Sequence, residues 1–311
     1  MSKTIYTHIS GSDALPLEVM RVTPDDTKDI RGIVQLVHGK NEHKELYEEF
    51  MRYLSSYGYV TIIHDNRGHG NSVLRPADRG YMYEGGMNAF IEDIYEISCD
   101  IKEWCEKEYG RDLPITLLGH SMGSMAIRCY IREHDTMIDR LGVIGSPSKS
   151  RLAPIGLMLV RGYSRLRGGR VRSKLVDFFI MRMKYARLDR KEKMHGSWTN
   201  TNTEAVKKRQ QDEKCRFKFT LSGFECMTGL SILTYKGGYT AKNPDLKIRF
   251  FSGYDDPCMG SVQKQKQSMA FLRRRGYKNI SGKVYHGMRH DILNERRKDK
   301  VYKDILKFIE E

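Results

Sequence analysis

The chain has 311 residues, of which 39% are hydrophobic, so it can bury a large core as one domain with an insertion or as two smaller domains. Its start lacks the apolar stretch of a secretion signal, and no window approaches the roughly 20 apolar residues of a membrane span, so we expect a soluble, cytoplasmic protein. The formal net charge is +15, yet no helix-turn-helix, RRM-like or zinc-finger spacing accompanies it. A nucleic-acid partner is therefore not predicted.

Two leading strands, at 4–8 and 15–22, are predicted from apolar alternation around a hairpin-like turn, and we expect them to be antiparallel and at the sheet edge. Strands and helices then alternate along the chain. The further predicted strands are 32–37, 59–64, 115–118, 141–145, 247–252 and 280–285. Amphipathic stripes predict helices around Leu46–Leu54, Phe90–Trp104, 124–134, 262–275 and Val301–Ile309. This order is typical of an α/β fold with a doubly wound, mostly parallel eight-stranded sheet.

The alternation stops between residues 148 and 230, which we interpret as a helical cap inserted into a core formed by 1–147 and 231–311. Residues 148–194 carry fourteen lysines and arginines and only three acidic residues. The apolar run 152–160 is flanked by Arg151 and Arg161 and is too short to cross a bilayer. Two interpretations remain open: peripheral contact with an anionic membrane, or an ordinary cap helix with solvated arginines.

A candidate nucleophile lies between the predicted strand 115–118 and the predicted helix 124–134. Residues 119–123 read Gly-His-Ser-Met-Gly and fit G-x-S-x-G, in which a sharp strand-to-helix turn presents the serine. Ser121 is therefore the candidate nucleophile. In a doubly wound hydrolase the orienting acid and then the base follow the serine, on loops after later strands. The pairs Asp255 or Asp256 and His286 or His290 satisfy this order, and the spacing leaves the choice within each pair open.

Metal and thiol chemistry have weaker support. The four histidines near the motif loops lack the helical H-x-x-x-H spacing of a zinc pair, so neither a metal nor another cofactor is predicted; they are His38, His64, His69 and His120. The six cysteines show no C-x-x-C spacing and are expected to be reduced thiols. Cys258, close to Asp256, could be a second nucleophile, but a loop thiol is the simpler interpretation.

Five motifs in register make the chain resemble the α/β-hydrolase superfamily, within it the lysophospholipase and monoacylglycerol lipase-like group. They are His38-Gly39 with Glu42-His43, Asp65 to Ser72, Gly119 to Gly123, Ser252 to Pro257, and Tyr285 to Glu295. The resemblance implies Asp256, which directly precedes proline, as the acid and His290 as the base, with Asp255 and His286 as the less favoured choices. It also implies an oxyanion hole made by the backbone amides of Lys40 and Met122. Lysine at position 40 departs from the small or apolar residue that is commoner there.

The resemblance implies a serine hydrolase that cleaves a carboxylic ester through an acyl-enzyme, with a lipid-like substrate that carries one acyl chain. A lysophospholipid and a monoacylglycerol are both candidates. The alternatives are a thioesterase, an aminopeptidase-like enzyme and a non-catalytic binding protein on a hydrolase scaffold. The scarcity of acidic residues in the predicted cap argues against recognition of a peptide amino terminus. The Asp65 to Ser72 loop, with Arg67 and His69, is expected to brace the site rather than to take part in chemistry.

Overall fold

The computed structural model describes the backbone of residues 1–311 and all side chains except those of Arg182, Lys184 and Arg187. One sheet of eight strands runs through it in the order β1-β2-β4-β3-β5-β6-β7-β8. The strands are β1 (Ser2–Ile9), β2 (Pro16–Thr23), β3 (Gly32–Val37), β4 (Tyr59–His64), β5 (Ile115–His120), β6 (Arg140–Ile144), β7 (Lys247–Gly253) and β8 (Ile280–Tyr285). The predicted fold class, and the antiparallel pair at the edge, are confirmed.

Six neighbouring strands, β3 to β8, are parallel, whereas β1 and β2 join antiparallel to each other and to β4. The central strands β3, β4 and β5 are buried at every position, as expected where helices cover both faces of a sheet. Because the carboxyl ends of parallel strands meet at one edge, the loops after β3, β5, β7 and β8 converge there.

Ten α-helices surround the sheet within the described residues. They are α1 (Glu48–Ser55), α2 (Gly86–Tyr109), α3 (Met122–His134), α4 (Ala153–Arg167), α5 (Lys174–Asp177), α6 (Met183–Lys191), α7 (Thr203–Gln211), α8 (Leu221–Leu233), α9 (Val262–Arg273) and α10 (Lys298–Glu310). Helices α1 and α10 pack on one face, and α2, α3 and α8 pack on the other, so two apolar cores form. The long α2 ends where Gly110 adopts a left-handed conformation.

Helices α4 to α7 and most of α8 lie between β6 and β7, in the segment 148–230 that we call the cap segment. A π-helical turn, Phe178–Arg182, joins α5 to α6. Helix α8 packs against α2, α3 and α4, and it continues three residues past the expected boundary at residue 230. Among the described residues, none of the helices has the length and apolar character needed to cross a bilayer.

Candidate active site

Ser121 lies at the turn between β5 and α3, with a φ of 54° and a ψ of −112°. A positive φ is uncommon for a residue with a side chain and marks a strained backbone. The turn is packed too tightly for larger neighbours: a Cβ on Gly123 would approach the Val37 carbonyl oxygen to 2.2 Å, and one on Gly119 would lie 2.7 Å from the Gly123 carbonyl oxygen. The two glycines thus let α3 start directly against the sheet and present the Ser121 hydroxyl at its edge.

A hydrogen-bonded relay joins Ser121 to the loops after β8 and β7. The Ser121 hydroxyl lies 2.8 Å from Nε2 of His290, and Nδ1 of His290 lies 3.0 Å from a carboxylate oxygen of Asp256. The other Asp256 oxygen accepts a 2.7 Å hydrogen bond from the amide of Cys258, which holds the carboxylate in place. Both His290 and Asp256 are buried. Distances of this size suit proton transfer from a hydroxyl to an imidazole that is oriented by an acid.

The less favoured acid and base candidates lie outside this relay. Asp255 is exposed, although its backbone amide donates to the carbonyl of Met288. His286 is also exposed, and its ring stacks on Tyr254 with 4.4 Å between the ring centres. The structure therefore brings Ser121, Asp256 and His290 together and leaves Asp255 and His286 at the surface.

The electrostatic surroundings of His290 favour its protonated form. Burial by itself lowers the pKa of His290, but the Asp256 carboxylate and then Cys258 outweigh it, so that the pKa lies well above its usual value. A carboxylate beside an imidazole also stabilises the imidazolium formed when the histidine accepts a proton. The neutral form of His290 would thus be a strong base towards the Ser121 hydroxyl.

The loop after β3 places the Lys40 amide next to the nucleophile. A Cβ on Gly39 would lie 3.0 Å from the Ser121 Cβ, so this loop passes directly against the serine. Nδ1 of His38 donates to the Gly39 carbonyl oxygen at 2.8 Å, while its Nε2 accepts from the Asn66 amide at 2.9 Å. Burial lowers the pKa of His38 to about 4, so the ring stays neutral and keeps this arrangement. The Gly39–Lys40 peptide is thereby fixed in orientation.

The two amides expected to form an oxyanion hole, those of Lys40 and Met122, donate no hydrogen bond to the described part of the protein. Met122 is the first residue of α3, where a helix leaves its amides unsatisfied and its dipole favours negative charge. The Lys40 side chain turns towards the cap segment: its ammonium lies 4.6 Å from the centre of the Phe219 ring and bonds to the Asn41 side chain. Burial lowers the pKa of Lys40 to about 8, against the attraction of Asp177.

A buried carboxylate, Glu42, ties the loop after β3 together. Its oxygens accept hydrogen bonds from the Gly39 amide at 2.7 Å, the Tyr47 hydroxyl at 2.6 Å and the Arg209 guanidinium at 2.9 Å. His120 lies 3.1 Å away. Burial alone would raise the pKa of Glu42, but His120 and Arg209 hold it well below its usual value. Glu42 is therefore ionised and links the loop to α7, which carries Arg209.

Aromatic side chains of the cap segment lie against the relay. The Trp198 ring is 5.2 Å from the His290 ring and stacks on Tyr185 with 4.0 Å between ring centres. The Tyr185 hydroxyl is 3.0 Å from the Cys258 sulfur. Cys258 therefore contacts the cap segment through its sulfur and the relay through its amide, which donates to Asp256.

Two clusters among the described residues have possible metal-ligand atoms within 4.8 Å of one another. One consists of Asp256, Cys258 and His290 and coincides with the relay. The other joins His43 to Asp212 and Cys215 of the cap segment. There the His43 ring is hydrogen-bonded to Glu45 on one side and to Asp212, at 2.7 Å, on the other. Burial by itself lowers the pKa of His43. Cys215, Glu45 and Asp212 together outweigh burial and raise this pKa to about 10, so His43 is a cation between carboxylates.

The loop from Asp65 to Ser72 has a structural role. The buried Arg67 guanidinium pairs with Asp93 at 2.7 Å and with Asp13 at 2.9 Å, which joins the loop to α2 and to the turn after β1. Burial lowers the pKa of His69 to about 3, so this ring is neutral.

Three residues that contact the site, Arg209, Trp198 and Tyr185, have no counterpart among the residues predicted from the sequence. Each lies in the cap segment and outside any motif, so no local pattern marks it.

Comparison with known proteins places the chain among hydrolases. The sequence model of the family described as serine aminopeptidase, S33, matches residues 28–297. The mouse monoglyceride lipase is 26% identical over 182 residues, which are 58% of this chain and 53% of that protein. The monoglyceride lipase of Saccharomyces cerevisiae is 29% identical over 124 residues, 39% of this chain and 36% of that one. The matches thus span about half or less of these relatives.

Solved structures agree over nearly the whole chain. A carboxyl esterase from Bacillus coagulans superimposes with a TM-score of 0.87 and 22% identity, covering 100% of this chain and 98% of that one. A soluble variant of monoglyceride lipase from Saccharomyces cerevisiae, in complex with a substrate analog, gives a TM-score of 0.76 at 16% identity. The superposition covers 99% of this chain and 95% of that one. The fold is therefore shared, and because the family model spans most of the sequence, the chain belongs to the serine aminopeptidase S33 family of α/β hydrolases.

Proposed function

We propose that the protein is a serine hydrolase that cleaves a carboxylic ester through an acyl-enzyme. The observation that carries this proposal is the continuous relay from the Ser121 hydroxyl through His290 to Asp256, with 2.8 Å and 3.0 Å between the bonded atoms. The two unsatisfied amides beside it, of Lys40 and Met122, add the electrostatic component that acyl transfer needs.

The proposed reaction has two halves. The Ser121 oxygen attacks the ester carbonyl while Nε2 of His290 takes its proton, and Asp256 stabilises the resulting imidazolium through Nδ1. The carbonyl oxygen becomes an oxyanion held by the amides of Lys40 and Met122. The ester bond then breaks, and His290 returns the proton to the departing alcohol. Water, deprotonated by His290, then attacks the acyl-serine. The bond to the Ser121 oxygen breaks, His290 returns the proton to that oxygen, and the carboxylic acid is released.

For the substrate we propose a lipid ester with one acyl chain, either a monoacylglycerol or a lysophospholipid. The names of the relatives support the first of these, since similar proteins from yeast, mouse and human are monoglyceride lipases. Activity should be measured on a panel of monoacylglycerols, lysophospholipids and short-chain esters, with Ser121→Ala as the blank. A kcat/KM that is highest for monoacyl lipids supports the proposal, and a preference for short soluble esters contradicts the lipid assignment.

The family description makes hydrolysis of an amide at a peptide amino terminus the second candidate. Such a substrate brings an ammonium group that needs a carboxylate in the cap segment. Several of the acidic residues there already bind basic groups: Glu225 pairs with Arg161, Glu192 with Arg289, and Asp212 with His43. An aminoacyl arylamide and an ester with the same acyl group discriminate between the two functions. Faster turnover of the arylamide than of the ester would contradict our proposal and favour an aminopeptidase.

We also propose that the cap segment contacts an anionic membrane surface. Helix α4 exposes large apolar side chains, with Met158 64% and Leu166 83% accessible, and the π-helical turn between α5 and α6 exposes Phe179 to 56%. Exposed arginines, including Arg165 and Arg167, accompany them on α4. An apolar face with basic residues at its border suits insertion into an interface with the charges near anionic head groups.

Cosedimentation with vesicles tests this contact. Attraction to an anionic surface is worth about 1 kcal/mol per basic residue and is screened beyond roughly 8 Å at physiological ionic strength, so binding to anionic vesicles should weaken as salt rises. Arg165→Gln/Arg167→Gln should reduce it, whereas the matched core variant Arg296→Gln/Lys300→Gln should not. Equal binding of the parent to anionic and neutral vesicles at low salt would contradict the proposal.

A further inference from the structure

Arg209, near the end of α7 in the cap segment, directs both terminal nitrogens of its guanidinium at the loop that carries the Lys40 amide. One nitrogen donates to the Glu42 carboxylate at 2.9 Å. The other donates to the carbonyl oxygens of Lys40 at 3.1 Å and of Asn41 at 3.3 Å. A guanidinium is planar and forked, so these three acceptors can be satisfied at once only if they keep their relative positions.

The contacts of Arg209 complete a chain of restraints on consecutive peptide groups. The Gly39 amide is held by Glu42, and the Gly39 carbonyl by His38. Arg209 holds the next two carbonyls and, through the opposite oxygen of the same carboxylate, Glu42 itself. The peptide groups on both sides of the Lys40 amide are therefore fixed, one from the core and the other from the cap segment.

The loop needs such restraint because it contains no regular structure and is strained. Asn41 has a φ of 56°, a left-handed conformation for a residue with a side chain. The cap segment supports Asn41 a second time, since its side-chain nitrogen donates to the carbonyl oxygens of Cys215 at 3.1 Å and Phe217 at 2.6 Å. The carbonyls of Lys40 and Asn41 thus depend on residues 209–217 for their place.

We infer that Arg209 is a positioning residue that holds the Lys40 amide at the oxyanion, so that the cap segment completes the catalytic geometry. This inference rests on the proposed function, because it assigns Arg209 to the same acyl-transfer site. Arg209 acts on the loop and not on the substrate. Loss of Arg209 should therefore lower the rate of the chemical step and leave ground-state binding of the ester nearly unchanged.

Arg209→Lys is the informative variant, since lysine keeps the positive charge beside Glu42 but cannot donate in a planar fork to three acceptors. We expect kcat to fall by about 100-fold, the effect of a misplaced oxyanion donor, with KM changed by less than about threefold. The affinity for a trifluoromethyl ketone, which forms an oxyanion on the serine, should fall in parallel with kcat.

Arg172→Lys is the matched control. Arg172 also lies in the cap segment and also binds backbone carbonyls, those of Lys218, Ala77 and Arg79, at 2.7–3.1 Å. None of these three bonds reaches the loop from His38 to Glu42. Its replacement should leave kcat within about twofold of the parent, although it removes the same kind of link between cap and core.

The rate of labelling by a fluorophosphonate separates the possible failures, because this reaction needs the site but no cognate ester. If the parent is labelled and Arg209→Lys is labelled equally fast, the inference is wrong and the proposed function stands. If the parent is not labelled, the proposed function and the inference both fall. Equal losses in Arg172→Lys and Arg209→Lys, or a rise in KM alone, also overturn the inference.

A folding defect would not end the test. Should Arg209→Lys fail to give folded protein, Glu42→Gln/Arg209→Gln removes both members of the ion pair and leaves no unpaired charge inside the protein. That variant also lacks the planar guanidinium that bonds to the carbonyls of Lys40 and Asn41. It should show the same loss of kcat with a nearly constant KM, and a kcat equal to that of the parent would overturn the inference.

Discussion

The loops of the core and the cap segment contribute different things to the site. Ser121, Asp256 and His290 each follow a parallel strand, so the sheet itself brings together the groups that would move protons. Two residues of the cap segment reach the site: Arg209 bonds to the backbone of Lys40, and the Trp198 ring lies beside the His290 ring. In the proposed mechanism the core would therefore supply the reacting atoms, whereas the cap segment would adjust where they lie.

The largest effect is expected at the core. Ser121→Ala removes the hydroxyl that His290 would deprotonate, so labelling by a fluorophosphonate and hydrolysis of every ester should be lost. Mass spectrometry of the labelled parent should find the probe on Ser121 alone. A variant that is still labelled would show that the nucleophile lies elsewhere, and with it the assignment of chemistry to the core loops would fail.

The paired aspartates test the core at the level of a single position. Asp256→Asn should lower kcat by about 10⁴-fold, because the neutral amide no longer orients His290 or stabilises its cation. Asp255→Asn is the adjacent control, and since its carboxylate is exposed outside the relay we expect a change of less than about threefold. The reverse ranking would contradict the relay seen in the structure.

A pH profile of kcat/KM measures the environment of His290. Only the neutral ring accepts the serine proton, so activity should rise with pH and fall about tenfold for each unit below the pKa. Because Asp256 and Cys258 outweigh burial and raise the pKa of His290, the rising limb should lie above the value of roughly 6.5 of a free histidine. A midpoint below that value would show that burial is the stronger influence.

The smallest effect is expected for the aromatic contact from the cap segment. Trp198→Ala removes a ring beside His290, and a ring pair is worth about 0.5–1.5 kcal/mol, which corresponds to a loss of about 2- to 12-fold in kcat/KM. The other tryptophan, Trp104, packs against Tyr109 away from the relay and is the matched control. Equal losses in the two variants would mean that Trp198 acts only through stability, which thermal unfolding would reveal.

The sequence predicts the core far better than the cap segment, for a physical reason. The strand positions and the G-x-S-x-G turn depend on local patterns, namely apolar runs, glycines at close approaches and the order of strand ends. The choice of Asp256 and His290 within their pairs already required family resemblance, because residues of one type on the same loop differ only in where their side chains point.

The contributions of the cap segment depend on contacts between distant parts of the chain. Arg209 is separated from Glu42 by 167 residues, and nothing in its own neighbourhood distinguishes it from the other basic residues of a strongly charged segment. The stacking of Tyr185 on Trp198 likewise arises only when α6 meets the turn that carries Trp198. Such partners become visible once the fold is known.

The buried Glu42 sets a condition on any attempt to exchange one cap for another. The cap segment is a natural unit to exchange in a chimera, since residues 148–230 enter and leave the core between two neighbouring strands, β6 and β7. A transplanted or shortened cap without a cation at the place of Arg209 would leave the enclosed Glu42 carboxylate without its guanidinium partner, which destabilises a buried charge. A functional chimera must therefore bring its own guanidinium to this carboxylate, or replace Glu42 at the same time.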